Sequence, residues 1–111
     1  MSVNKVILLG YVGRDPDIRY PEPGHCVAFF SLATNDYYGN PPAEVTEWHN
    51  IVMTGKNAQV AEKYIRKGTR LYIEGRLKTR EYEDKMKITR RRTEIYVERF
   101  ELLGRKEERQ G

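Results

Sequence analysis

Apolar residues in this chain recur at every second position almost throughout, and the period changes only once. Asn57, Val60, Ala61, Tyr64 and Ile65 fall at three- and four-residue spacing, with Gln59, Glu62, Lys63 and Arg66 on the opposite side. That is one short amphipathic helix in a chain otherwise patterned for strands, and few folds accept the combination. The spacing predicts a helix closed by Gly68, where a left-handed residue is wanted. Around it the alternation predicts five strands: Val3–Val12, Val27–Thr34, Thr46–Thr54, Thr69–Thr79 and Thr93–Leu103. In the third strand Trp48, Asn50, Val52 and Thr54 share one face, and His49, Ile51 and Met53 the other. In the fourth, Leu71, Ile73 and Leu77 point inward, while Tyr72, Glu74, Arg76, Lys78 and Arg80 point outward.

The segments between these elements carry turn chemistry. Gly13–Asp17 breaks the first strand, and Tyr20-Pro21-Glu22-Pro23-Gly24 reads as a turn. Asn35–Val45, containing Gly39-Asn40-Pro41-Pro42, reads as a loop, and Glu81–Arg92 as an exposed charged hairpin tip. At 111 residues one domain uses up the core such a chain can build, here residues 1–104, with 105–111 a charged C-terminal extension. Three strands, a helix and two strands is the order of the OB-fold, an all-β, five-stranded barrel with one short helix between its third and fourth strands. An SH3-like barrel and an open α+β sheet fit the same order.

Net charge is +4, but it is unevenly spread. Residues 1–62 balance at −3 and residues 93–111 at −1, while residues 63–92 hold twelve Lys/Arg against four Asp/Glu, +8. A basic segment this concentrated builds the local field that a polyanion needs. A solvated, lysine-rich face is the plainer account of the same count.

The residues that would support catalysis are missing. Two histidines, His25 in a turn and His49 among apolar neighbours, make neither a metal site nor a general base with its orienting partner. No glycine-rich loop ends in Lys-Ser or Lys-Thr, and the carboxylate pairs Asp15/Asp17 and Glu83/Asp84 lie in turns with nothing to separate their pKa values. The expectation is a binding module, not an enzyme, without cofactor or metal. Cys26 has no cysteine partner and reads as a small buried hydrophobe. No stretch approaches the roughly 20 apolar residues that span a bilayer, and Met1–Lys5 opens no secretory signal, so the cytoplasm is the expected compartment, with no membrane partner.

What remains is aromatic residues interleaved with bases. Tyr37-Tyr38 falls in the predicted loop, Trp48 faces away from His49, and Tyr72 shares a face with Arg76, Lys78 and Arg80. Tyr82 opens a hairpin carrying Lys85, Lys87 and Arg90-Arg91-Arg92. Single strands offer unstacked bases and a charged backbone. Aromatic faces gain about 1–3 kcal/mol per stacked base, and Lys/Arg supply a salt-dependent phosphate contribution. An OB protein built for protein contacts, or one that handles RNA, shares parts of this pattern.

The chain resembles the bacterial single-stranded DNA-binding proteins. The resemblance rests on Val3-Asn4-Lys5-Val6-Ile7-Leu8, Gly13-Arg14-Asp15-Pro16-Asp17-Ile18-Arg19-Tyr20, Leu32-Ala33-Thr34 and Thr46-Glu47-Trp48-His49. It continues through Tyr64–Thr69 and Leu71–Arg80 and runs in order to Leu103-Gly104. It implies an OB-fold, a homotetramer, and nucleoid-associated coating of single-stranded DNA in replication, recombination and repair. The family's stacking tryptophans fall at Tyr38, Trp48 and Tyr82, a stacking phenylalanine at Thr54, and a subunit-contact histidine at His49. Its basic DNA path carries over to Lys5, Arg19, Lys56, Lys67, Lys78 and Arg80. An acidic, phenylalanine-ended tail that recruits repair and replication proteins has no counterpart in Gly104–Gly111, so such recruitment is not expected of these residues.

Overall fold

Six strands and one helix make up residues 1–105, the part of the chain described by this computed structural model. In order they are β1 (Val6–Val12), β2 (Asp17–Glu22), β3 (His25–Tyr38), β4 (Ala43–Thr54), α1 (Gly55–Tyr64), β5 (Thr69–Glu83) and β6 (Thr89–Arg105). One sheet runs β1-β5-β6-β4-β3-β2 and curls until β1 also pairs β3, at Tyr11↔Ala33 and Val12↔Leu32. The closure is loose, but it is the expected barrel, with its helix between β4 and β5.

The strand count is six where five were expected. The extra strand is β2, which pairs β3 from Asp17↔Phe29 to Glu22↔His25 across the turn at Pro23-Gly24. Its turn-like composition hid it: Pro21 lacks a ladder donor, which only an edge strand tolerates, and β2 is the sheet edge. The expected loop Asn35–Val45 is mostly ribbon, since β3 and β4 pair out to Tyr38↔Ala43 around a tip of residues 39–42. The charged tip is also paired, with β5 and β6 meeting as far as Glu83↔Thr89. Of the expected extension only Arg105, the last residue of β6, is described.

Alternation at period two builds the core. Cys26, Ala28, Phe30 and Leu32 of β3 meet Ile51 and Met53 of β4, Leu71 and Ile73 of β5, and Ile95 of β6. Ala58, Ala61 and Ile65 bring α1 onto this cluster. Tyr64, expected on the buried face of the helix, is exposed, as the 58–61–65 spacing leaves it to one side. The helix stops before Gly68: the Ile65 N–H closes onto the Ala61 carbonyl, and Gly68 (φ 87°) instead donates to Val12 O at 2.8 Å, leading into β5. Leu77, expected inward, is 49% exposed, although Ile95 opposite it on β6 belongs to the core.

Strands cross where side chains would not fit. A Cβ on Gly10 would lie 2.1 Å from the Ala33 carbonyl oxygen, where β1 passes from β5 to β3. One on Gly75, at the bulge between Glu74 and Gly75, would lie 2.2 Å from Tyr96 O. Both positions let backbones approach closely enough to close the barrel.

Candidate nucleic-acid interface

The outer face of β3 and β4 follows from the same alternation that builds the core. Phe29, Ser31, Ala33 and Asn35 stand opposite Val52, Asn50, Trp48 and Thr46, one cross-strand pair after another. Ala33 opposite Trp48 is small, and the indole lies over Gly13, where a Cβ would come within 2.4 Å of Cζ3. Trp48 is therefore held along one edge and remains 58% exposed.

Two clefts adjoin along this face. One, of about 420 Å³, is lined by Tyr11, Gly13, Ala33, Glu44, Trp48 and Lys67 among others. The next, of about 300 Å³, is lined by Arg14, Asp17, Arg19, Phe29, Ser31, Asn50, Arg80 and Arg92. Four arginines against one aspartate and the buried Glu94 leave the second cleft net positive. Arg19 lies 5.8 Å over the Phe29 ring while paired to Asp17 at 3.0 Å. Its guanidinium thus contributes both stacking surface and charge.

The ribbon β5–β6 extends the basic surface. Arg80 lies 5.9 Å over Tyr82, and Lys78 lies 5.0 Å over Tyr96, opposite the exposed Arg76. Beyond them Asp84 builds the turn, its Oδ1 accepting the N–H groups of Met86 (2.9 Å) and Ile88 (3.0 Å) and its Oδ2 accepting Arg90 Nε at 2.9 Å. These bonds, the Ile88 N–H first and Arg90 next, hold the Asp84 carboxyl below its usual pKa. Lys85 and Lys87 are exposed in that turn, and Arg91 pairs Glu81 at 3.3 Å.

The structure gathers some of the residues singled out in the sequence and scatters others. Trp48, Lys67, Arg19 and Arg80 line the two clefts, with Tyr82 beside them on the ribbon. Tyr38 is exposed at the end of β3, but Tyr37 lies opposite Glu44, a residue of the Trp48 cleft, and donates to it at 3.0 Å. That bond to a carboxylate raises the Tyr37 pKa. Tyr72 is half-buried between Leu9 and Glu101 on the β1–β5–β6 face and donates to Glu74, which also takes Lys5 at 3.3 Å. Neither Tyr72 nor Lys5 lines either cleft. Lys56 is exposed in the first turn of α1. His49 is half-buried, its Nε2 at 2.8 Å from Thr34 Oγ1.

Sequence reasoning passed over Arg14, Phe29 and Asn50 as site residues, and it named Tyr37 and Arg92 without placing them beside a cleft. The alternation places Phe29 on the face of Asn50 and Trp48 once β3 and β4 are paired, but the pairing register is not in the pattern. Among the described residues no three His, Cys, Asp or Glu side chains come close enough to hold a metal ion.

Barrel and surface together define the OB-fold class, here with an outer face of aromatic and basic side chains fitted to an extended polyanion. Residues 3–103 match the single-strand binding protein family, and the chain belongs to it. It is 47% identical over 111 residues to a single-stranded DNA-binding protein of Bacteroides thetaiotaomicron, an alignment covering 96% of this chain and 69% of that protein. It is 42% identical over 114 residues to one of Neisseria meningitidis, covering 100% of this chain and 66% of that protein. The chain therefore spans about two-thirds of the length of these relatives. A solved structure, the Plasmodium falciparum SSB complex with ssDNA, aligns with a TM-score of 0.81 at 37% identity, over 94% of this chain and 96% of that one.

Proposed function

We propose that this chain binds single-stranded DNA without regard to sequence, and that residues 1–104 form the binding domain. The observation that carries this reading is the outer face on which the exposed Trp48 lines a cleft with Lys67, next to a cleft lined by Arg14, Arg19, Arg80 and Arg92. Bases stack on exposed rings, of which every base offers a π-face, while guanidinium and ammonium groups replace the counterions of the phosphates. Tyr38, Tyr82 and the basic side chains of the ribbon extend the path. Such a protein is a binder with no reaction of its own, working in replication, recombination and repair, in the cytoplasm on the nucleoid. Among the described residues no helix is long and apolar enough to cross a membrane.

Assembly into a homotetramer fits the outer face of β1, where Ile7 and Leu9 stand exposed beside Val3. Exposed apolar residues side by side on a sheet face favour contact with another copy.

Titration with oligo-dT, followed by Trp48 fluorescence at two salt concentrations, tests the function. Strong quenching is expected, with log affinity falling against log salt at about −0.7 per phosphate neutralised. Absence of quenching, or equal affinity for duplex, rules the reading out. Light scattering on the free protein tests the tetramer, and a monomeric mass excludes it.

A further inference from the structure

One fully buried carboxylate stands behind two of the arginines that line the second cleft. Glu94 is 0% exposed on β6. It takes Arg80 as a fork, Nε to Oε1 at 3.2 Å and Nη2 to Oε2 at 3.0 Å. Arg92 approaches the same carboxylate, with Nε 3.5 Å from Oε2, and its Nη2 donates to Asn50 Oδ1 at 2.9 Å. Both arginine side chains remain partly exposed, 46% and 40%. Hydrogen bonds thus occupy Nε and Nη2 of Arg80 but only Nη2 of Arg92. The buried Arg92 Nε has no hydrogen-bond partner among the described residues and is drawn to Glu94 by charge; Nη1 of each guanidinium is left to donate elsewhere.

An acid on this surface needs a reason. Its burial costs several kcal/mol unless it is well paired, and its charge opposes the polyanion the face attracts. The arrangement makes sense if what the acid organises outweighs its own repulsion. Two guanidiniums and one carboxylate leave a net charge of one, the complement of a single phosphodiester. Guanidinium forks also bind phosphate in a geometry that a mobile side chain has to find at an entropic cost.

We propose that Glu94 is a positioning residue that holds Arg80 and Arg92 as a prearranged pair for one backbone phosphate in the cleft beside Phe29. This rests on the reading of the chain as a single-strand binder and names the group of that ligand the cleft takes. Arg14 and Arg19 border the same cleft and add field rather than fork geometry.

Glu94→Gln tests it, because charge and position predict opposite results. If Glu94 only neutralises, its removal makes the face more positive, so oligo-dT binds more tightly with a steeper salt slope. If it positions, binding weakens about tenfold, the worth of one charge-assisted hydrogen bond. The salt slope then becomes shallower by about 0.7, because one phosphate fewer is neutralised, although the net charge has risen. Tighter or unchanged binding by a folded Glu94→Gln protein overturns the proposal. Should that variant melt below the assay temperature, Arg80→Lys and Arg92→Lys decide, since each keeps the charge and removes the planar guanidinium that Glu94 holds. Each is expected to bind about tenfold more weakly with the slope nearly unchanged. Wild-type affinity in both overturns the proposal. The unmodified chain is titrated alongside: if it fails to prefer oligo-dT over duplex, the functional reading itself falls, a result distinct from normal binding by the variants.

Discussion

Gly13 and Trp48 show how much of this interface depends on a single missing side chain. The indole lies where a Gly13 Cβ would sit 2.4 Å from Cζ3, so Gly13→Ala has to push the ring off its seat. The Trp48 emission of the free protein should shift. Affinity for oligo-dT should fall by as much as one stacked base, about 1–3 kcal/mol, approaching the effect of Trp48→Ala. Unchanged emission and affinity would show that the ring does not depend on this contact. That Trp48 faces outward is legible in the sequence, because it alternates with His49, Ile51 and Met53. That it lies over Gly13 is not, because the contact joins the end of β1 to the middle of β4. Tyr37 and Tyr38 show the same division: the resemblance points to Tyr38, but the register Tyr37↔Glu44 brings Tyr37 to the Trp48 cleft.

The β5–β6 ribbon is the element whose behaviour follows most directly from one group. Asp84 binds the N–H groups of Met86 and Ile88 and the Arg90 guanidinium, and these bonds depress its pKa. A depressed carboxyl stabilises the turn above its unfolded pKa, and that contribution disappears as pH falls through the lower folded value. The amide resonances of Met86 and Ile88 should therefore titrate with a midpoint below the usual 3.8. In Asp84→Asn that titration should vanish while the barrel core stays folded. A midpoint at or above 3.8 would mean the turn does not rely on the charged form. The existence of this ribbon was legible from its charge and position. Its length was not, since charged residues carry little strand signal and only the partner strand reveals the pairing to Glu83↔Thr89. The ribbon β3–β4 was missed for a related reason: Gly39-Asn40-Pro41-Pro42 marks a turn clearly but does not say how far the flanking residues pair.

For the whole molecule, closure is the feature on which everything else depends. Gly75→Ala places a methyl group 2.2 Å from the Tyr96 carbonyl, and neither backbone can yield without opening the β5–β6 ladder. Overpacking of this kind costs about 1–3 kcal/mol, so the melting temperature should fall measurably. A wild-type melting curve would show that the bulge absorbs the methyl group. By itself the sequence determined the order of the helix and of five of the six strands, most of the core, the outward face of Trp48 and the basic character of residues 63–92. Those are properties of period, composition and short spacing, which each segment expresses locally. Only the tertiary structure decided which bases act together. Arg14 and Arg19, from the start of the chain, meet Arg80 and Arg92, from the distant ribbon, with Glu94 buried behind the latter two. Periodicity tells each strand which side is out, but barrel closure sets which outward sides face one another, and the scattered basic residues of the sequence converge there on a cleft with four arginines.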